Sequence, residues 1–106
     1  MKIAISSTGS DLNSAFDKRF GKTEWFCIWD DQTSDVSFHL NSHSNASNGA
    51  GVKAAEKIIE LGVEKVISGD FGPKAKDMLD KFDVQMVIIQ EGAYTVEKII
   101  TTMKNK

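Results

Sequence analysis

The second half of the chain alternates between two hydrophobic periods, and that alternation constrains the fold more tightly than any other feature of the sequence. Val52, Ala55, Ile58 and Ile59 step at helical spacing, and Gly62 supplies a C-terminal stop. Residues 64–68 (EKVIS) read as a strand. The turn at 69–73 (GDFGP) places its proline at the first turn of a second helix, whose apolar face is Ala75, Met78, Leu79 and Phe82. Residues 84–89 (VQMVII) are nearly all apolar, the pattern of a strand covered on both faces. Residues 92–95 turn into a last helix with Val96, Ile99, Ile100 and Met103 on its apolar side, Thr95 as N-cap and Glu97 in the first turn. Two strands separated by a helix are expected to be parallel, with a right-handed crossover.

The first half is extended. Residues 2–6 (KIAIS) read as an opening strand, and residues 24–30 (EWFCIWD) as a second, aromatic-rich one. Residues 36–40 alternate Val36, Phe38 and Leu40 against Ser37 and His39, so they form a third strand, hairpinned to the second through 31–35. Between the first two strands runs a polar, glycine-bearing stretch, 7–22, in which 12–16 reads as one helical turn. Residues 41–51 (NSHSNASNGAG) are the most loop-like segment, and a compact domain rarely keeps such a loop without a use for it. The order β-β-β-α-β-α-β-α predicts an α/β domain over residues 1–106. It is a mixed five-stranded sheet, strand order 3-2-1-4-5, with strand two antiparallel and helices on both faces.

Charge and composition exclude several roles. A net charge of −2 and a pI near 5.6 do not provide the basic face that nucleic-acid binding needs. The single cysteine rules out a disulfide framework. No apolar run approaches the roughly 18 residues of a membrane span, and the apolar start at 1–5 is too short for a signal peptide. The expected location is the cytoplasm.

Topology also localises the site. If strand two returns antiparallel to strand one, the 7–23 connection lies at the carboxyl end of strand one, here called the top. Residues 41–51 and the turns after strands four and five join it. Gly9, Gly21, Gly49, Gly51, Gly69, Gly72 and Gly92 all fall at this edge, as do three helix N-termini, whose free N–H groups suit an anion. Ligands of open α/β sheets lie beyond the carboxyl ends of the strands. The bland reading is that glycine is common in any turn.

Enzymatic chemistry is not expected. The topology is similar to that of ribonuclease-H-like nucleases, but two-metal nucleases need several converging carboxylates. The first strand carries none, and Asp70 alone stands at the top. Ser6, Ser68, His43 and Asp70 could be assembled into a triad only without a nucleophile-elbow pattern, and 69–74 lacks phosphate-loop spacing. Cys27, mid-strand, reads as a buried, inert thiol. Trp25 and Trp29 share one face of strand two and should pack against a helix. His43 is either a solvated loop histidine or a ligand. Arg19 is either an anion-binding cation or half of an ordinary surface ion pair with Asp17 or Asp11.

Several short pieces in fixed order carry a resemblance. They are KIAIS at 2–6, Arg19-Phe20-Gly21-Lys22, Gly49-Ala50-Gly51, Ser68-Gly69-Asp70-Phe71-Gly72-Pro73-Lys74-Ala75 and Gly92-Ala93-Tyr94-Thr95-Val96. With them the chain resembles the dinitrogenase iron–molybdenum cofactor biosynthesis family over nearly its whole length. The resemblance implies a ribonuclease-H-like fold and a non-catalytic carrier. Its cargo would be an anionic iron–sulfur-type cluster or iron–molybdenum cofactor precursor, passed to a cofactor-assembly or acceptor protein. The implied binding residues are Arg19, Phe20, Gly21, Lys22, His43, Gly49, Gly51, Gly69, Gly72 and Gly92, with His43 as metal ligand. Family members often carry histidine where Arg19 and Asn48 stand here. That leaves Arg19, Lys22 and Lys74 as charge partners, and His43 and Cys27 as the soft ligands. The competing reading is a regulatory module that binds a phosphorylated small molecule without metal.

Overall fold

Side chains of the first strand point alternately to the two sides of the sheet, and each side acquires its own helical cover. The computed structural model describes residues 1–42, 44, 49–90 and 93–105. In chain order the elements are β1 (Lys2–Ser7), β2 (Trp25–Asp30), β3 (Val36–Leu40), α1 (Ala50–Glu60), β4 (Lys65–Ser68), α2 (Pro73–Lys81), β5 (Gln85–Ile88) and α3 (Val96–Lys104). They form one sheet in the order β3-β2-β1-β4-β5. β2 is antiparallel to β1 and β3, while β4 is parallel to β1 and β5 to β4. This is the mixed sheet expected from the sequence.

Ala4 lies with Phe26, Ile28 and Val66 on the side covered by α1 and α2, which contribute Ala54, Ala55, Ile58, Ala75 and Leu79. Ile3, Ile5, Cys27, Trp29 and Ile67 lie on the other, beneath Val96, Ile99 and Ile100 of α3. Each large aliphatic side chain buried this way is worth about 1.5–3 kcal/mol. Neither layer is dispensable in a domain whose net stability is roughly 5–15 kcal/mol. α1 stops at Gly62 as expected, with the Gly62 and Val63 amides donating to the carbonyls of Ile59 and Ile58. Pro73 opens α2, and the Thr95 hydroxyl caps α3 by accepting from the Lys98 amide at 3.1 Å.

Four local expectations fail in whole or in part, each for a reason of packing. Residues 12–16 form no helical turn. The Asp11 carboxylate accepts from the Asn13 amide, and Ala15 and Phe16 bridge to Thr95 and Ser7. Short polar side chains compete here for backbone bonds, and Phe16 is drawn into the α3-side core. Phe82 is not on the buried stripe of α2 but follows its last residue, 55% exposed. The chain turns sharply at Asp83, at a φ of 60°, and sends Val84 into the core instead. β5 is covered on both faces only in part: Met86 packs on the α1/α2 side and Val87 on the α3 side, but this is an edge strand of four residues and Ile88 is 59% exposed. Apolar composition does not report that a strand lacks an outer neighbour. Of the two tryptophans, Trp29 is buried under α3, whereas Trp25, paired with exposed Leu40, is only half-buried. Among the described residues no helix is long and apolar enough to cross a membrane.

Candidate functional site

The segment from Asp17 to Thr23 ties together the chain that follows β1, β3, β4 and β5, and so builds the top edge into one surface. The Asp17 amide donates to the Ser6 carbonyl at 3.0 Å, and the Ser6 hydroxyl donates back to the Asp17 carbonyl. The Gly69 amide donates to the Lys18 carbonyl at 3.0 Å, and Arg19 and Asp70 form a parallel bridge. Lys18 Nζ reaches the Gln90 carbonyl at 3.0 Å. Buried Asn41, just past β3, donates its side-chain amide to the carbonyls of Thr23 at 2.8 Å and Gly21 at 3.2 Å. A polar loop can be seated this deeply because each of these backbone groups finds a partner.

Two glycines make the seating possible. A Cβ on Gly21 would lie 2.8 Å from the Gly51 nitrogen and 2.9 Å from Gly51 Cα, in the first turn of α1. A Cβ on Gly69 would collide with Lys18 Cβ and lie 2.7 Å from the Lys18 carbonyl oxygen. The close approach at both positions is therefore made by the protein's own backbone. Phe20, 1% exposed, points down into the core, its ring centroid 5.5 Å from Phe26 and 5.0 Å from Phe71. It anchors the loop from beneath.

Arg19 is paired. Its Nε donates to Asp17 Oδ1 at 3.1 Å and its Nη2 to Asp17 Oδ2 at 3.0 Å, a bidentate fork. Its backbone amide also donates to Oδ1, at 2.9 Å. Asp17 is only 6% exposed, while the Arg19 side chain is 64% exposed. Burial pushes the Asp17 carboxyl up, but the hydrogen bonds from Arg19 outweigh it and hold the group below the ordinary carboxylate range. Lys22 and Lys74 are exposed on the neighbouring turns, with Lys74 in the first turn of α2.

The first turns of α1 and α2 touch, since a Cβ on Gly51 would lie 3.4 Å from Ala75 Cβ. Gly49 and Gly72 are their N-caps. Among the described residues neither helix has a side-chain cap, and neither carries an acid in its first turn. α3 has both, in Thr95 and Glu97. Among the described residues, these two adjacent helix starts thus present N–H groups and partial positive charge that no cap side chain or first-turn acid offsets. Sequence reading found the glycines and cations of this edge but missed Lys18 and the contrast in capping, although the cap residues are legible in the sequence. His43 and Gly92 lie outside the described residues, as does Asn48.

Cys27 does not reach this edge. It is fully buried mid-strand on the α3 side, and burial pushes its thiol up to about 12. Native protein is therefore expected to resist iodoacetamide at pH 8 and to alkylate only when unfolded; stoichiometric labelling of folded protein, read by mass spectrometry, would contradict this. The Ser6 and Ser68 hydroxyls are buried and bonded to each other at 2.8 Å. Among the described residues no three His, Cys, Asp or Glu side chains converge to hold a metal ion.

Comparison with known proteins places this geometry in context. The model of the dinitrogenase iron–molybdenum cofactor family matches residues 1–106. No curated protein matches the chain. The apo orange protein from Desulfovibrio gigas is 28% identical, with a TM-score of 0.90 over 98% of this chain and 87% of that one. A protein described as NifB, of the DUF35 family, from Thermotoga is also 28% identical, with a TM-score of 0.84 over the same shares. PH0822, at 16% identity and a TM-score of 0.82, covers 99% of this chain and 91% of its own, and shows the fold alone.

Proposed function

The chain belongs to the dinitrogenase iron–molybdenum cofactor family, and on that premise we propose that it is a non-catalytic cytoplasmic carrier. Its cargo is an anionic iron–sulfur-type cluster or iron–molybdenum cofactor precursor, held at the top edge and passed to an assembly or acceptor protein. The observation that carries the reading is the pair of touching helix starts, without a side-chain cap among the described residues, beside Arg19, Lys22 and Lys74. Sulfides at the surface of such a cluster accept hydrogen bonds, and its negative charge is compensated by helix ends and fixed cations. Arg19 and the first turns of α1 and α2 bind the cargo by charge and N–H donation, and His43 is the candidate metal ligand. Gly21 and Gly69 serve the site by letting the Arg19 loop lie against α1 and β4.

Anaerobic reconstitution with iron, sulfide and molybdate, followed by absorption spectroscopy of the gel-filtered protein, tests this. A retained visible chromophore is expected, and its absence overturns the carrier reading. Arg19→Ala should weaken retention by more than tenfold, about 1.4 kcal/mol. The cost in stability should be about 1–3 kcal/mol, because the buried Asp17 carboxylate loses its guanidinium partner. Arg19→His should preserve retention if the cluster accepts a histidine ligand. The same helix ends also suit a phosphorylated small molecule; phosphate-ester binding without any chromophore would favour that second reading.

A further inference from the structure

We propose that Asp17 is the counter-ion that sets how loosely this carrier holds its cargo, acting through Arg19. The inference rests on the carrier reading and concerns the same site. Asp17 cannot follow Arg19 if the arginine moves. Its amide and carbonyl are both bonded to Ser6 at the end of β1, and its carboxylate is buried. Arg19 is the exposed member of the pair. Of its five N–H donors, Asp17 takes Nε–H and one on Nη2, and the remaining donors lie on the exposed part of the side chain. Asp70 and Glu24 add further negative charge around the guanidinium. A cluster that docks on Arg19 therefore meets a neutralised ion pair and not a full positive charge, a few ångströms from a fixed carboxylate that repels it. A carrier must release as well as retain, and a fixed internal anion weakens retention without removing the donors that recognise the cargo.

The test is a titration with thiomolybdate, a coloured molybdenum–sulfur dianion, followed by absorption at low and moderate salt. Wild type is compared with Asp17→Asn and Arg19→Ala. Asparagine keeps an oxygen to accept the Arg19 amide but carries no charge. Asp17→Asn should bind at least fivefold more tightly than wild type, with a steeper loss of affinity as salt rises, because more uncompensated charge faces the anion. A residue with a merely structural role would not tighten binding when removed. Asp17→Ser, whose hydroxyl can still accept from the Arg19 amide, repeats the comparison if the asparagine variant does not fold. Equal or weaker binding in these variants, with Arg19→Ala also weakened, overturns the counter-ion role and leaves the carrier reading intact. Unchanged binding in Arg19→Ala removes Arg19 from the site, and no binding by wild type removes the carrier reading; the counter-ion role falls in either case.

Discussion

Phe20→Ala is expected to destabilise the protein by about 3–5 kcal/mol, the range for truncating a buried aromatic ring. Phe20 is 1% exposed and fills the space between the Phe26 and Phe71 rings. It also joins the core formed by Ala54, Ala55 and Ile58 of α1. Removing it leaves a cavity directly beneath the turn that carries Arg19 and Gly21. For a domain of this size each kcal/mol lowers the melting temperature by roughly 4–8 °C. The variant should therefore melt well below wild type and lose much of the roughly 5–15 kcal/mol that such a domain has in total. A urea titration read by circular dichroism measures the effect. A wild-type midpoint combined with lost cargo retention would instead assign Phe20 to direct contact with the ligand.

Gly69→Ala should cost about 1–3 kcal/mol, the usual range for overpacking a filled space. The added methyl group meets Lys18 Cβ, with the Lys18 Cα at 2.8 Å and its carbonyl oxygen at 2.7 Å. Neither strand end can step aside cheaply. The Gly69 amide is bonded to that same carbonyl, and Ser68 is bonded to Ser6. Relief requires lifting the Asp17 to Thr23 segment, so both stability and cargo retention should fall together. Gly72→Ala is the control: nothing lies within 4 Å of its Cβ position and its φ of −60° suits any residue. Its stability should stay within about 0.5 kcal/mol of wild type. Equal melting temperatures for the two variants would mean that the loop is not seated on β4.

The sequence by itself determined the topology and the edge where the site lies. Helical and extended periods alternate cleanly in the second half, and the links are short, so the order 3-2-1-4-5 with one reversed strand follows from local pattern and connection rules. Once strand two is reversed, the 7–23 connection must lie with the turns after strands four and five. The tertiary structure alone decided what each residue of that edge does. Gly21 meets Gly51, and Gly69 meets Lys18, across long stretches of chain, and no local pattern states which segments will touch. Phe20 reads as part of a ligand turn but fills the core, because the loop folds down over α1. Arg19 could have paired with Asp11 or Asp17. Pinning of the Asp17 backbone to Ser6 selects Asp17. Periodicity records which face of an element is apolar, whereas burial depends on whether another element arrives to cover that face, and for Phe82 and Ile88 none does.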